Sequence, residues 1–222
     1  MNIETNSFLN EVKCVVLNDK TEILLNDEND ISISFICDGK IINTLEIPYP
    51  LGGYGGGSLY LSPSKSYLLF WHYSGQSEES FTLYKISDDK LEIVFEELYL
   101  NGEAANYDFS PNEEFLIQSL PISCTQWDWK YYVEECDFAE KDENNNLFFV
   151  FGYINILDIA NKTLSQHQIR IYPSESAENF SKESYNPFIP LEMVDASTLK
   201  ISMPWGEETL NLPLEDILVF HI

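Results

Sequence analysis

The chain has a single arginine, Arg170, and only three histidines; its Lys and Arg together number 12, against 37 Asp and Glu. The formal net charge is therefore −25. Phosphate backbones are held mainly by basic side chains that displace counterions, so direct nucleic-acid binding is not expected. No stretch reaches the roughly 20 apolar residues of a membrane-spanning helix. The opening residues, MNIETNSFLNEVK, carry neither the basic nor the apolar region of a secretory signal. A cytoplasmic, bacterial protein that binds neither membrane nor nucleic acid is the expectation. The four cysteines, Cys14, Cys37, Cys124 and Cys136, form no CxxC pair and read as reduced thiols. His72, His167 and His221 share no zinc-ligand spacing, and no Gly-x-Ser-x-Gly elbow is present. The chain is expected to have no cofactor, no metal and no catalytic residues.

The 222 residues are 44% hydrophobic and 14% aromatic, enough for a substantial folded core. The aromatic surplus is mostly Phe and Tyr, which favour strands. One pattern recurs. "LYLSPSKSYLLF" is echoed by "YDFSPNEEFLIQ", with Ser110-Pro111 placed 48 residues (62 to 110) after Ser62-Pro63. Leu61, Tyr67, Leu68 and Leu69 fall on Phe109, Phe115, Leu116 and Ile117. "VVLNDKTEILLN" supplies an earlier copy if Asn18 is set on Ser62, which puts Ile23, Leu24 and Leu25 on Tyr67, Leu68 and Leu69. Each copy reads as strand, polar turn, apolar strand. A Ser or Asn oxygen can bond the backbone two residues on, and Pro presets φ for a turn. Leu24, Leu68, Leu69, Leu116 and Ile117 are then expected in the core.

Second hairpins follow in "FICDGKIINTLEI", "LYKISDDKLEIVF" and "ILDIANKTLSQHQI", where Asp38-Gly39 is a hairpin signal and Ile159 falls on Ile86. A weaker fourth copy is "LEMVDASTLKISM" with "EETLNLPLEDILVFHI". Four strands per unit and a period near 50 residues suit propeller blades. The fold expected is all-β: one β domain over residues 1–222, made of four propeller-like antiparallel units at about 11–50, 56–99, 105–172 and 187–222. The arrangement is partial, open or four-bladed.

"LSPSKSYLLF" and "FSPNEEFLIQ" resemble the Ser-Pro-Asp-Gly-Lys turn of WD40-like and TolB-like β-propeller repeats. The Trp-Asp pair that ends a WD40 blade is replaced here by Tyr84-Lys85 and Leu157-Asp158. The resemblance implies a blade architecture and carries over no catalytic residue, since propellers host binding scaffolds and enzymes alike.

The third unit contains an insertion at about 119–146, "SLPISCTQWDWKYYVEECDFAEKDENNN". Long insertions on a rigid scaffold often carry function. Trp127, Trp129, Tyr131 and Tyr132 are candidate partner-binding anchors, and Glu134, Glu135 and Asp137 are candidate steering charges for a basic protein. The alternative is that these aromatics fill the core of an extended hairpin. "LGGYGGGS" lacks the Gly-Lys-Ser/Thr of a phosphate loop and reads as a pliant connection with positive-φ positions, or as a backbone floor under a ligand. "DENNN" at 142–146 and "NDEND" at 26–30 lack the later ligands of a calcium loop and read as solvated turns. The function expected is a non-enzymatic protein-binding module, an inhibitor or immunity-type protein that neutralises a basic partner. The alternatives are a propeller-type enzyme or sugar-binding protein with its site near the Gly-rich loop and Trp71, and a structural interaction protein within a complex.

Overall fold

The computed structural model describes residues 12–26, 31–47, 55–74, 78–88, 90–100, 106–121, 140–172, 191–203 and 206–221. Every regular element among them is a β-strand. The chain divides into two compact units, Met1–Gly102 and Glu103–Ile222.

The first unit holds two four-stranded antiparallel meanders. One is β1 (Cys14–Val16), β2 (Thr21–Asn26), β3 (Ser32–Cys37) and β4 (Lys40–Glu46); the other is β5 (Gly55–Leu61), β6 (Tyr67–Ser74), β7 (Glu78–Ser87) and β8 (Lys90–Leu100). Period-2 alternation sends Ile23, Leu25, Ile33 and Phe35 of the first sheet against Leu59, Leu68, Phe70 and Tyr84 of the second. Backbone bonds join the sheets as well: Leu59 N donates to Val12 O at 2.9 Å, and Val12 N donates to Ser58 Oγ at 3.0 Å. In β6, Leu68, Leu69, Phe70, Trp71 and His72 are all buried, as an apolar run between turn signals leads one to expect.

The second unit contains β9 (Asn106–Phe109), β10 (Phe115–Pro121), β11 (Glu140–Lys141), β12 (Leu147–Asp158) and β13 (Thr163–Tyr172), then β14 (Leu191–Met193), β15 (Thr198–Met203), β16 (Gly206–Asn211) and β17 (Ile217–His221). β9, β10, β12 and β13 form the third meander, and β14, β15 and β16 form a three-stranded fourth sheet. Ile117, Ile154, Ile156, Ile169 and Ile171 pack with Met193, Leu199, Ile201 and Met203 between the two. Met193 N donates to Asp108 Oδ2 at 2.7 Å and links the fourth sheet to β9. Burial raises the Asp108 carboxyl above its ordinary pKa, and this bond partly offsets the shift.

One hydrogen bond repeats in all four sheets. The N–H at the end of the third strand donates to the carbonyl of the last residue in the first turn: Asp38 to Lys20, Ile86 to Ser66, Ile159 to Glu114 and Leu212 to Ser197, at 2.8–3.0 Å. The first turn and the end of the third strand are thus equivalently placed in all four units, and Ile86 and Ile159 match as their sequences suggest. The Ser-Pro turns also agree bond for bond. Lys65 N donates to Ser62 O and Glu113 N to Ser110 O, with left-handed φ of 63° and 56° at Lys65 and Glu113.

Two expectations need correction. Leu24 is 36% exposed, on the outer face of β2, while Ile23 and Leu25 are buried. The turn it follows, closed by Leu17 N to Thr21 O, is one residue shorter than the turn closed by Ser62 N to Tyr67 O. The repeated bond sets Lys20 on Ser66 and so Leu24 on Phe70, which shares its face with Leu68; that face of β6 packs against the first sheet, whereas the same face of β2, with Leu24 and Asn26, is exposed. β17, in turn, is not the last strand of the fourth unit. It pairs in parallel with β13, with Gln168 opposite Ile217 and Tyr172 opposite His221. Leu212 and Leu214 pack on the core as the chain crosses, and Leu218 is buried within it, so apolar burial draws the segment back to the third sheet.

Candidate functional site

The insertion leaves the third sheet after Pro121 at the end of β10 and returns at Glu140, where β11 pairs with the start of β12. Trp127, Trp129, Tyr131, Tyr132, Glu134, Glu135 and Asp137 lie outside the described residues, as do Cys124 and Cys136. What the structure describes is the collar on which the insertion stands.

The collar turn is closed by Asp142. Its Oδ1 accepts the backbone N–H of Asn144 at 2.9 Å and of Asn146 at 2.8 Å; its Oδ2 accepts Asn146 Nδ2 at 3.1 Å and the Tyr172 hydroxyl at 3.3 Å. The Asn146 side-chain bond, then the backbone bonds, hold this exposed carboxyl below the usual range. Its lone pairs are used by its own turn, as the solvated-turn reading expected. Among the described residues no group of three or more His, Cys, Asp or Glu could hold a metal ion.

Beside this turn lies a strip that sequence reasoning missed. The Arg170 guanidinium sits 4.3 Å from the centroid of the Phe148 ring. Tyr172 tilts against Phe148 on one side and against His221 on the other, at 5.6 and 5.3 Å between centroids. Phe148 is buried and His221 is exposed, so the strip runs from core to solvent. A cation over an aromatic face gains on the order of 0.5–1 kcal/mol at an exposed site. The available signal was the alternation of "RIY" along β13; the partners come from β12 and β17 and could not be read locally.

The same face of this sheet also carries a polar ladder. Gln118 Nε2 donates to Tyr107 Oη at 3.1 Å, Asn155 Nδ2 to Gln118 Oε1 at 2.9 Å, and Gln166 Nε2 to Asn155 Oδ1 at 3.1 Å. These four residues stand opposite one another across β9, β10, β12 and β13. Each amide satisfies the next, which is how Gln118 and Asn155 can be buried at low cost. His167 is also placed structurally. Glu215 O can only accept, so the imidazole Nδ1 carries the proton donated to it at 2.8 Å, and Nε2 accepts from Ser165 Oγ at 2.9 Å. That pair fixes the approach of β17.

Of the Gly-rich segment, residues 51–54 lie outside the described residues, and Gly57 is the glycine whose surroundings are described. A Cβ at Gly57 would stand 2.6 Å from Trp71 O and 2.7 Å from Phe70 Cε2. Close packing by the chain's own residues, rather than positive φ or a ligand floor, requires glycine there. Trp71 itself is buried, and His72 stacks on Phe70 at 4.7 Å. Cys14 is exposed and Cys37 partly buried; both are free thiols. No helix among the described residues is long and apolar enough to cross a membrane.

Fold and collar together define an all-β protein of propeller-like repeat units with an insertion on the third. No family model and no curated protein matches the chain. Among solved structures it is similar to the WD40 domain of SCAP from fission yeast, at 10% identity and a TM-score of 0.45, over 88% of this chain and 46% of that one. It is also similar to an uncharacterized protein from Listeria monocytogenes EGD-e, at 10% identity and a TM-score of 0.38, over 91% of this chain and 66% of that one. The WD40 likeness is partial: the chain spans about half the length of that domain, and neither match bears on function.

Proposed function

We propose that the protein is a non-enzymatic protein-binding module for a basic partner, an inhibitor or immunity-type protein in its most concrete form. The observation that carries this reading is the net charge of −25 on a β-repeat scaffold with an acidic, aromatic insertion on the third unit. Such a surface draws a cationic protein and repels nucleic acid. Asp142, Asp158 and Asp195 add fixed carboxylates at or near the surface. Each is held below the usual range by hydrogen bonds, led by the Asn146 side chain, the Asn161 backbone and the Ser197 backbone respectively. The sugar-binding or enzymatic alternative relied on Trp71 and the Gly-rich segment, and at Gly57 the space is filled by Phe70 and His72.

Affinity capture from the native host, followed by salt titration of the complex, tests the reading. Glu134→Gln with Glu135→Gln should slow association, with most of the effect gone in high salt, where a Debye length of about 8 Å at physiological strength shortens to about 3 Å. Trp129→Ala should speed dissociation at every salt concentration. Capture of only neutral or acidic proteins would overturn the reading. A stable Trp129→Ala variant with unchanged dissociation would remove the insertion from the binding surface.

A further inference from the structure

Among the described residues the fourth sheet has three strands where the other units have four. In the other three units the third strand, β3, β7 or β12, is paired on both sides. Its counterpart β16 pairs with β15 on one side, and among the described residues no strand lies along the other. The repeated bond fixes which backbone groups face that open edge. Leu212 N donates inward to Ser197 O, so in an antiparallel ladder Leu210 and Glu208 also face β15, while Asn211, Thr209 and Glu207 turn their N–H and C=O groups outward. The equivalent residues in the first unit, Cys37, Phe35 and Ile33, are the ones paired with Lys40, Asn43 and Leu45 of a fourth strand.

Side chains on this sheet select what can pair there. Leu199, Ile201 and Met203 are committed to the core, whereas Lys200, Glu207 and Thr209 stand on the opposite, polar face. Glu207 already binds one cation, Lys200 Nζ, at 2.7 Å across the strand pair. A strand added beyond β16 would place its own alternate side chains beside Glu207 on that face and beside half-buried Leu210 on the other. A second copy of this chain would bring another charge of −25 to the edge and be repelled. A basic segment is attracted.

We propose that β16 is a docking edge at which an extended, basic segment of a partner protein adds the missing fourth strand, with alternate Lys or Arg side chains against Glu207. The inference rests on the protein-binding reading above and specifies a second contact for the same partner, separate from the insertion. Main-chain bonds from Glu207, Thr209 and Asn211 supply affinity, and the alternating cations supply specificity.

The test uses the full chain and a capped octapeptide of alternating Lys and Val, with a Glu–Val peptide as control. Amide hydrogen exchange should slow about tenfold at Glu207, Thr209 and Asn211 with the Lys–Val peptide only. Thr209→Pro removes an outward N–H and leaves the bonds to β15 intact, a position where edge strands tolerate Pro. It should weaken peptide binding about tenfold while Thr209→Ala does not. Should the Pro variant fail to fold, the same peptide with alternate amides N-methylated is tested on the unaltered chain, and must lose binding. Unchanged exchange at all three amides, or undiminished binding of the N-methylated peptide, overturns the proposal. A captured basic partner that ignores both Thr209→Pro and excess peptide, yet responds to Glu134→Gln with Glu135→Gln, overturns the β16 contact and leaves the protein-binding reading standing. Peptide binding at β16 by a chain that captures no basic protein does the reverse.

Discussion

Ser110 and Phe115 are joined by reciprocal bonds: Ser110 N donates to Phe115 O at 2.9 Å, Phe115 N donates to Ser110 Oγ at 2.9 Å, and Ser110 Oγ lies 3.3 Å from Phe115 O as a further donor. Ser62 and Tyr67 make the same pair of bonds at 3.0 Å each. The hydroxyl substitutes for a strand partner at the point where the ladder gives way to the turn, and both serines are buried. Ser110→Ala leaves the Phe115 N–H without its acceptor. The expected loss is about 1–3 kcal/mol, read from urea melts with an unchanged slope. A loss near zero would mean that water replaces the hydroxyl.

Gly57→Ala is expected to destabilise by about 1–3 kcal/mol, although the backbone there needs no left-handed φ. The new methyl would meet a main-chain carbonyl, Trp71 O, at 2.6 Å, and a carbonyl inside a strand pair cannot turn aside. Thermal melts of this variant beside Gly39→Ala separate two mechanisms. Gly39 has open space around it and a φ of +74°, so its cost is conformational alone.

Leu68 and Leu24 should respond in opposite ways to truncation. Leu68 is fully buried, and Leu68→Ala should cost about 2–5 kcal/mol. Leu24→Ala, on the outer face of β2, should cost less than about 0.5 kcal/mol. Equal losses in denaturant melts would contradict the register of the first sheet.

His72 makes stability depend on acid. Burial lowers its pKa to about 4, below the ordinary 6.5, because the protein interior solvates imidazolium poorly. The unfolded chain therefore binds the proton first. Stability from this group is complete above pH 6.5 and is lost as pH falls from 6.5 through about 4, by a total on the order of 3 kcal/mol. His72→Gln should flatten the melting temperature over that window. A slope that persists in the variant would assign the acid sensitivity to the carboxylates.

The sequence by itself determined the features that close within a few residues. The Ser62 and Ser110 turns could be read because a side-chain oxygen and a proline act within one local loop, and the spacing of those turns exposed the repeat; the left-handed φ at Lys65 and Glu113 came only from the structure. Burial on both faces of β6 was legible for a similar reason: an uninterrupted apolar run leaves no polar face to turn outward. Tertiary structure decided everything that depended on register or on a distant partner. Leu24 is exposed because its face of β2 lacks, among the described residues, the apolar neighbours that bury Phe70 on the equivalent face of β6, and neighbours do not show in the pattern of apolar residues. β17 pairs with β13 of the third sheet, where Leu218 is buried in the core shared with the fourth, and that partner lies far back in the chain. Arg170 finds Phe148, and Tyr172 finds His221, only after strands far apart in the chain are laid side by side. That β16 has no second partner among the described residues follows from the pairing of β17 with β13. Its outer edge is a set of backbone N–H and C=O groups, which every sequence carries, and only the placement of the neighbouring strands determines which of them are left facing outward.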